Sequence, residues 1–229
     1  MGSELRDLGA QRERRRQLIE KLRQAGVRDL AVLYAFDRVP RHLFVPDVFE
    51  ARAYADEALP LGHGQTISRP STHALFLQSL RLRGDERVLE IGTGSGFQTA
   101  LLAALCRQVF SIERLPQLAA AARARIEALG FSNVAIRAGD GTYGWRRYAP
   151  YDAILVGAGA RDIPGPLVEQ LAAGGQLLIP LGERSAQKLH RIVRTEDGSV
   201  EDAVIADVRF VALYGLGGLE NSEEGKSQW

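Results

Sequence analysis

Cysteine is nearly absent from this sequence: Cys106 stands alone among 229 residues. One thiol excludes an internal disulfide and any CxxC metal site. Histidine is scarce too, with four residues, no obvious His–acid pair and no spacing that suits a metal. An excess of either charge is missing. The net charge of +1 gives no field for gathering nucleic acid or an anionic membrane. Long apolar runs are missing as well; Arg, Gln or Gly interrupts each before it could span a bilayer. Met1-Gly2-Ser3-Glu4-Leu5-Arg6 lacks a signal-peptide core, and Arg6 stands where myristoylation needs Ser or Thr. The expectation is a soluble cytoplasmic protein, read here as a monomer, with no nucleic-acid or membrane partner and no metal. What is present is ample apolar material, 45% of residues. That suits one large α/β domain, or one with a small accessory part.

The chain divides into three stretches. Residues 1–70 read as helices followed by a loop. An amphipathic helix over 11–25 presents Leu18, Ile19, Leu22 and Ala25 on one face, and Gly26 stops it. Its run of Arg12, Arg14, Arg15 and Arg16 is a solvated face rather than an anion site, because Glu13 and Glu20 are interleaved. A second helix starts near Asp29, as N-cap, and ends before Pro40. Pro40, Pro46, Pro60 and Pro70 then punctuate an ordered loop whose apolar residues call for packing. Residues 71–218 are the regular core. Strands at 87–91, 108–112, 134–137, 152–156 and 176–179 alternate with helices at about 71–81, 97–106, 115–129 and 166–172. This alternation predicts an α/β fold with a doubly wound, mostly parallel sheet. Segments 189–193 and 204–213 would add an antiparallel pair at one edge, and 219–229 is a polar tail.

Glu90-Ile91-Gly92-Thr93-Gly94-Ser95-Gly96 follows the first core strand and opens a helix. In an open parallel sheet, ligands bind beyond the carboxyl ends of the strands, where this turn lies. The dinucleotide fingerprint GxGxxG fails, because the third glycine comes one residue early and Phe97 takes its place. That disfavours an NAD-dependent oxidoreductase. A tight turn without ligand stays open on this motif alone. The spacing ExGxGxG resembles motif I of the class I S-adenosylmethionine-dependent methyltransferases, a Rossmann-like fold. The resemblance implies that the loop, with Thr93 and Ser95, wraps the methionine half of S-adenosyl-L-methionine. Loop N–H groups would serve its carboxylate, and carbonyls or Glu90 its ammonium. Glu113, with Arg114 beside it, ends the second strand, where an acid can accept from two ribose hydroxyls. By the same resemblance Asp140, with Gly141, reaches the adenine amino group, and S-adenosyl-L-homocysteine is the product.

The match extends further. Val39-Pro40-Arg41-His42-Leu43-Phe44-Val45-Pro46 and Leu59-Pro60-Leu61-Gly62-His63-Gly64-Gln65-Thr66-Ile67-Ser68-Arg69-Pro70 resemble two segments of the protein-L-isoaspartate O-methyltransferases. The segments around Ser111–Arg114, Gly139–Gly141 with Trp145, Ala149–Ile154 and Val208-Arg209-Phe210-Val211 follow in that family's order, over roughly residues 11–218. The resemblance implies methyl esterification of the free carboxylate of L-isoaspartyl residues in damaged proteins and peptides. The ester then closes to a succinimide that reopens as aspartate. Ser68 is the implied catalytic residue, assisted by Thr66, with Ile67 and Val208–Val211 against the acceptor peptide.

The chemistry agrees. A carboxylate with a pKa near 3.9 is already a nucleophile at neutral pH, so no general base is required. Ser68 could instead merely cap the helix after Pro70, His63 reads as a loop residue, Cys106 as a core thiol and Trp145 as packing. Arg69, Ala212 and Tyr214 depart from the family pattern. By resemblance Ala212 and Tyr214 would flank the acceptor and leave the cofactor site untouched. Two alternatives remain: a methyltransferase for a normal aspartate in one dedicated peptide, and a non-catalytic module that keeps the fold as scaffold.

Overall fold

The computed structural model describes residues 2–218, with side chains from residue 9; the expected polar tail at 219–229 lies outside the described residues. Buried strands are short apolar runs, and five of them form the parallel part of a seven-stranded sheet. They are β3 (Arg87–Ile91), β4 (Gln108–Glu113), β5 (Val134–Ala138), β6 (Tyr151–Val156) and β7 (Leu171–Glu183), after a small hairpin of β1 (Leu59–Gly62) and β2 (Gln65–Ile67). Strands β8 (Ala186–Arg194) and β9 (Val200–Val208) complete the sheet in antiparallel sense, and its order is β5-β4-β3-β6-β7-β8-β9. The expected doubly wound sheet with an antiparallel edge is therefore present. The order reverses between β3 and β6, which pair in parallel. Such a switch point leaves a crevice at the strand ends.

Side chains alternate faces along a strand, and both faces are covered. Val88, Val109, Leu155 and Leu178 point to one core, while Leu89, Phe110, Ile154 and Leu177 point to the other. The first core is roofed by α1 (Gly2–Gln24), α2 (Leu30–Arg38), α3 (Pro70–Leu80), α4 (Phe97–Ala103) and α5 (Pro116–Ala128). The N-terminal residues Leu18, Phe36, Phe44 and Leu59 share that core with the sheet. Opposite lie α6 (Gly165–Glu169) and the 3₁₀ turns that carry Trp145 and Tyr148, which pack on Phe110.

Several elements differ from their sequence signals. Helix α1 starts earlier than expected, and Ala25 is exposed beyond its end. Asp29 caps α2 as expected, accepting from Ala31 and Val32 N–H. The 40–70 stretch holds two 3₁₀ turns and the β1–β2 hairpin, with His63 in the left-handed conformation at its tip (φ 52°). Helix α6 is shorter than expected, since the chain is already in β7 at Leu171. The apolar pattern of the last strand runs to Leu213, but β9 ends at Val208. Gln187 explains the break: its side chain accepts from Phe210 N–H at 2.7 Å and donates to Phe210 C=O at 3.4 Å. The next residues then cross the strand ends, where Ala212 bridges to Gly159.

Candidate active site

The glycine turn after β3 is built by steric need. Gly92 and Gly94 have φ of 94° and 54°, a region that non-glycine residues rarely adopt. Gly96 (φ 88°) serves helix packing as well. A Cβ there would come 3.1 Å from Ala122 Cβ, so this glycine lets α4 meet α5. Carboxylates hold the turn from below. Glu113 accepts from Gly94 N–H at 2.8 Å and from Leu115 N–H at 2.9 Å, tying the end of β4 to the loop after β3. Glu90 is fully buried and accepts from Thr99 Oγ1 at 2.5 Å and Ser111 Oγ at 2.6 Å through one oxygen. Its other oxygen has no partner. Burial pushes its carboxyl up to about 7, the two hydroxyls oppose the shift, and the Glu113 charge adds to it. Thr93 bonds Ser111 at 2.6 Å, and Ser95 Oγ accepts from Phe97 N–H at 3.2 Å, so both hydroxyls brace the turn.

Two cavities lie over this turn and a third adjoins them. The first is lined by Thr66, Ile67, Ser68, His73, Glu90, Gly92–Ser95, Gln98 and Phe210. A second lies beside Ile112, Glu113, Arg114, Gly141 and 211–214. The third, at the surface, is bounded by Ser68, Arg69, Asp207 and 208–211. Thr66 and Gly157 line all three, while Ser68 stands between the first and the third. No protein group among the described residues engages the Ser68 hydroxyl. It does not cap α3: Arg69 is the N-cap, without a side-chain bond, and Asp56 accepts from Ser71 N–H at 2.8 Å.

The sequence-predicted residues are thus brought together, with exceptions. Asp140 does not line the cavities; it caps the next turn, accepting from Thr142 N–H at 2.8 Å and Thr142 Oγ1 at 2.7 Å. Its neighbour Gly141 lines the second cavity, and a Cβ there would collide with Ile91. The placement of Ala212 and Tyr214 needs correcting. They line the second cavity with Glu113, rather than the surface groove, because β9 ends early and delivers 212–214 inward. Tyr214 lies under Arg114, whose guanidinium carbon is 4.3 Å from the ring centroid. His190 and Asp202 form a His–acid pair across β8 and β9 at 2.8 Å, unseen in sequence and outside these cavities. Cys106 is buried, which pushes its thiol up to about 12, and Trp145 packs, as expected. Among the described residues no cluster of acids, His or Cys could hold a metal.

Of two further lining residues, His73 carried no sequence signal, and Gln98 only closes the segment Arg87–Gln98 that resembles the family. His73 bonds Gln98 through Nδ1, while His73 Nε2 and Gln98 Nε2 are buried without partners. Burial, then the nearby Arg41 charge, pushes His73 down to about 3, so it is neutral at physiological pH. The two lie 25 residues apart, in the first turns of α3 and α4. Each is an ordinary helix residue by pattern; only the fold joins them.

Known proteins place this arrangement. A relative from Dictyoglomus turgidum, named protein-L-isoaspartate O-methyltransferase, is 48% identical over 202 residues, covering 88% of this chain and 91% of its own. One from Syntrophus aciditrophicus, with the same name, is 51% identical over 207 residues (90% and 95%). A crystal structure from Plasmodium falciparum, described as a protein-L-isoaspartate O-methyltransferase in complex with S-adenosyl-L-homocysteine, superimposes with a TM-score of 0.76. It is 29% identical, covering 86% of this chain and 96% of that one. The sheet is that of the class I methyltransferases. Since the family's own model also matches residues 13–217, nearly the whole described chain, this chain belongs to the protein-L-isoaspartate(D-aspartate) O-methyltransferase family.

Proposed function

We propose that the protein methylates the free carboxylate of L-isoaspartyl residues in damaged proteins and peptides, using S-adenosyl-L-methionine. One observation carries the reading: Ser68 stands, hydroxyl unengaged, between the cavity over the glycine turn and the surface groove of 207–211. The buried atoms of the inner cavity fit an amino-acid zwitterion. Glu90 offers an unpartnered acceptor to an ammonium, and Gln98 Nε2 an unpartnered donor to a carboxylate. The neighbouring cavity offers Glu113 and Arg114, with Gly141 bare of a side chain, for an adenosine.

When bound, S-adenosyl-L-methionine supplies an electrophilic methyl on a sulfonium. The chain's residues do the rest. Gly92 and Gly94 bring backbone close, Thr93 and Ser95 brace it, and Glu113 fixes Gly94 while facing the ribose side. Asp140 caps the turn that begins at Gly141, through Thr142, and leaves one oxygen for the adenine edge. Ser68 donates a hydrogen bond from its hydroxyl to the acceptor carboxylate and sets its angle, with Thr66 beside it. Ile67 and Phe210 form apolar wall, and Val208, Arg209 and Val211 line the approach. Positioning of this kind can supply roughly 7–11 kcal/mol. Charge cancels as the methyl moves, so a dry cavity favours the step. The stretch up to residue 70 brings the acceptor-side loop and the core after it the cofactor site. We read the chain as a cytoplasmic monomer; its near-neutral charge suits peptides rather than polyanions.

The test is methyl transfer from labelled S-adenosyl-L-methionine to an isoaspartyl peptide, scored as an alkali-labile ester. Formation of that ester supports the reading. Its absence, with S-adenosyl-L-homocysteine still bound, would turn the assignment to a dedicated peptide. Absence of both would leave a scaffold.

A further inference from the structure

Arg41 is a buried cation with no anion in contact; the charges of Asp56 and Glu57 reach it only through space. It is 0% exposed, and no carboxylate lies within ion-pair distance of it among the described residues. Burial holds its pKa down to about 9, which leaves it charged at neutral pH. Its guanidinium gathers backbone carbonyls instead. Nε donates to Ala53 C=O at 2.8 Å, and one terminal nitrogen to Ser68 C=O at 2.9 Å and Glu57 C=O at 3.4 Å. Its flat face lies 4.9 Å from the ring centroid of Phe97, the residue that opens α4 directly after the glycine turn. Phe97 in turn packs edge-on against Phe44 and His73.

A buried charge is costly, and an apolar side chain of the same volume often stabilises a fold as well or better. Stability alone therefore gives Arg41 no advantage. What an apolar residue could not do is tie the carbonyls of Ala53 and Glu57 to that of Ser68 with one rigid fork. One of those carbonyls belongs to Ser68, and the fork's other face rests on the start of α4. Ser68 is the last residue before the α3 cap, with a free hydroxyl and no side-chain anchor of its own. Fixing its carbonyl fixes the peptide plane that follows it and so restricts the backbone torsion that sets the direction of its Cβ.

We propose that Arg41 is a positioning residue that acts through Ser68, setting the serine's hydroxyl relative to the glycine turn. The inference rests on the role given to Ser68 above. Misplacement of about 1 Å at a reacting centre can cost on the order of a hundredfold in rate. An ammonium reaches fewer of the three carbonyls, so Arg41→Lys should loosen the clamp while keeping the charge.

The test is a double-mutant cycle of Arg41→Lys and Ser68→Ala. It reads kcat on an isoaspartyl peptide at saturating S-adenosyl-L-methionine, with S-adenosyl-L-homocysteine affinity and Tm alongside. The expected result is a roughly ten- to hundredfold loss of kcat for Arg41→Lys alone, with affinity little changed. In the Ser68→Ala background the same change should cost about twofold or less, because the group it serves is gone. An equal loss in both backgrounds, or a loss that tracks cofactor affinity and Tm, overturns the proposal. If Ser68→Ala itself leaves kcat unchanged, the reading of Ser68 fails, and that outcome is separable from additivity. Where Arg41→Lys does not fold, Arg41→Met takes its place; failure of both to fold shows that the guanidinium serves the fold and also overturns the proposal.

Discussion

Glu90→Gln separates what a buried acid does for the fold from what it does for a ligand. Glu90 is 0% exposed, and its carboxyl is raised from 4.5 to about 7, chiefly by burial. Such an acid binds its proton more tightly in the folded chain than in the unfolded one. Its contribution to stability is fully present below pH 4.5 and is lost as the pH climbs through 7. At about 1.4 kcal/mol per pH unit, the interval amounts to about 3 kcal/mol. Glutamine imitates the protonated acid: its carbonyl accepts from Thr99 and Ser111, and it stays neutral at every pH. Urea denaturation of the ligand-free wild type and variant at pH 4.5 and pH 8 reads the difference directly. The two should be close at pH 4.5, and the variant more stable by about 2–3 kcal/mol at pH 8. The neutral, buried His73 is common to both chains and cancels. A gap of the same size at both pH values would refute the argument. Ligand binding should run the other way. If the unpartnered Glu90 oxygen meets an ammonium, binding of S-adenosyl-L-homocysteine near pH 6 releases a proton from the wild type. The variant should bind more weakly, with no such release in calorimetry run in two buffers.

Three further outcomes follow from single residues. Glu113→Ala removes the acceptor of Gly94 and Leu115 N–H, and charged hydrogen bonds contribute about 1.5–3 kcal/mol each; S-adenosyl-L-homocysteine affinity should fall at least about tenfold, and unchanged calorimetry would contradict the site. Gly141→Ala drives a Cβ into Ile91, so overpacking should cost about 1–3 kcal/mol, read as a lowered Tm together with weaker binding. Cys106, buried and raised to about 12, should react with a maleimide only as fast as the protein opens; rapid labelling of the native chain would show that the turn after α4 is not packed as described.

How much of this was legible beforehand depended on sequence distance. Val88–Ile91 and Ile154–Val156 read as strands because they are buried on both faces and carry unbroken apolar runs. The glycine turn was legible because its steric needs lie within five residues. Arg41 sits in a recognisable segment, yet nothing local marks a cation for full burial; its carbonyl partners lie 12, 16 and 27 residues away. The pairing of His73 with Gln98 was hidden for the same reason. The placement of Ala212 and Tyr214 failed because the apolar pattern of 204–213 continues past Val208. A single side chain, Gln187, peels Phe210 off the strand's course and turns the following residues inward. Patterns report faces within an element, whereas a strand that ends on a distant amide leaves no local trace.

The central claim is the identity of the acceptor. The most direct measurement offers the protein two peptides in one reaction, identical except for one residue, L-isoaspartate in one and normal aspartate in the other, with labelled S-adenosyl-L-methionine. The account predicts label on the isoaspartyl peptide alone, as an ester released by mild alkali. Equal labelling of both peptides, or label only on the aspartyl peptide, would contradict it.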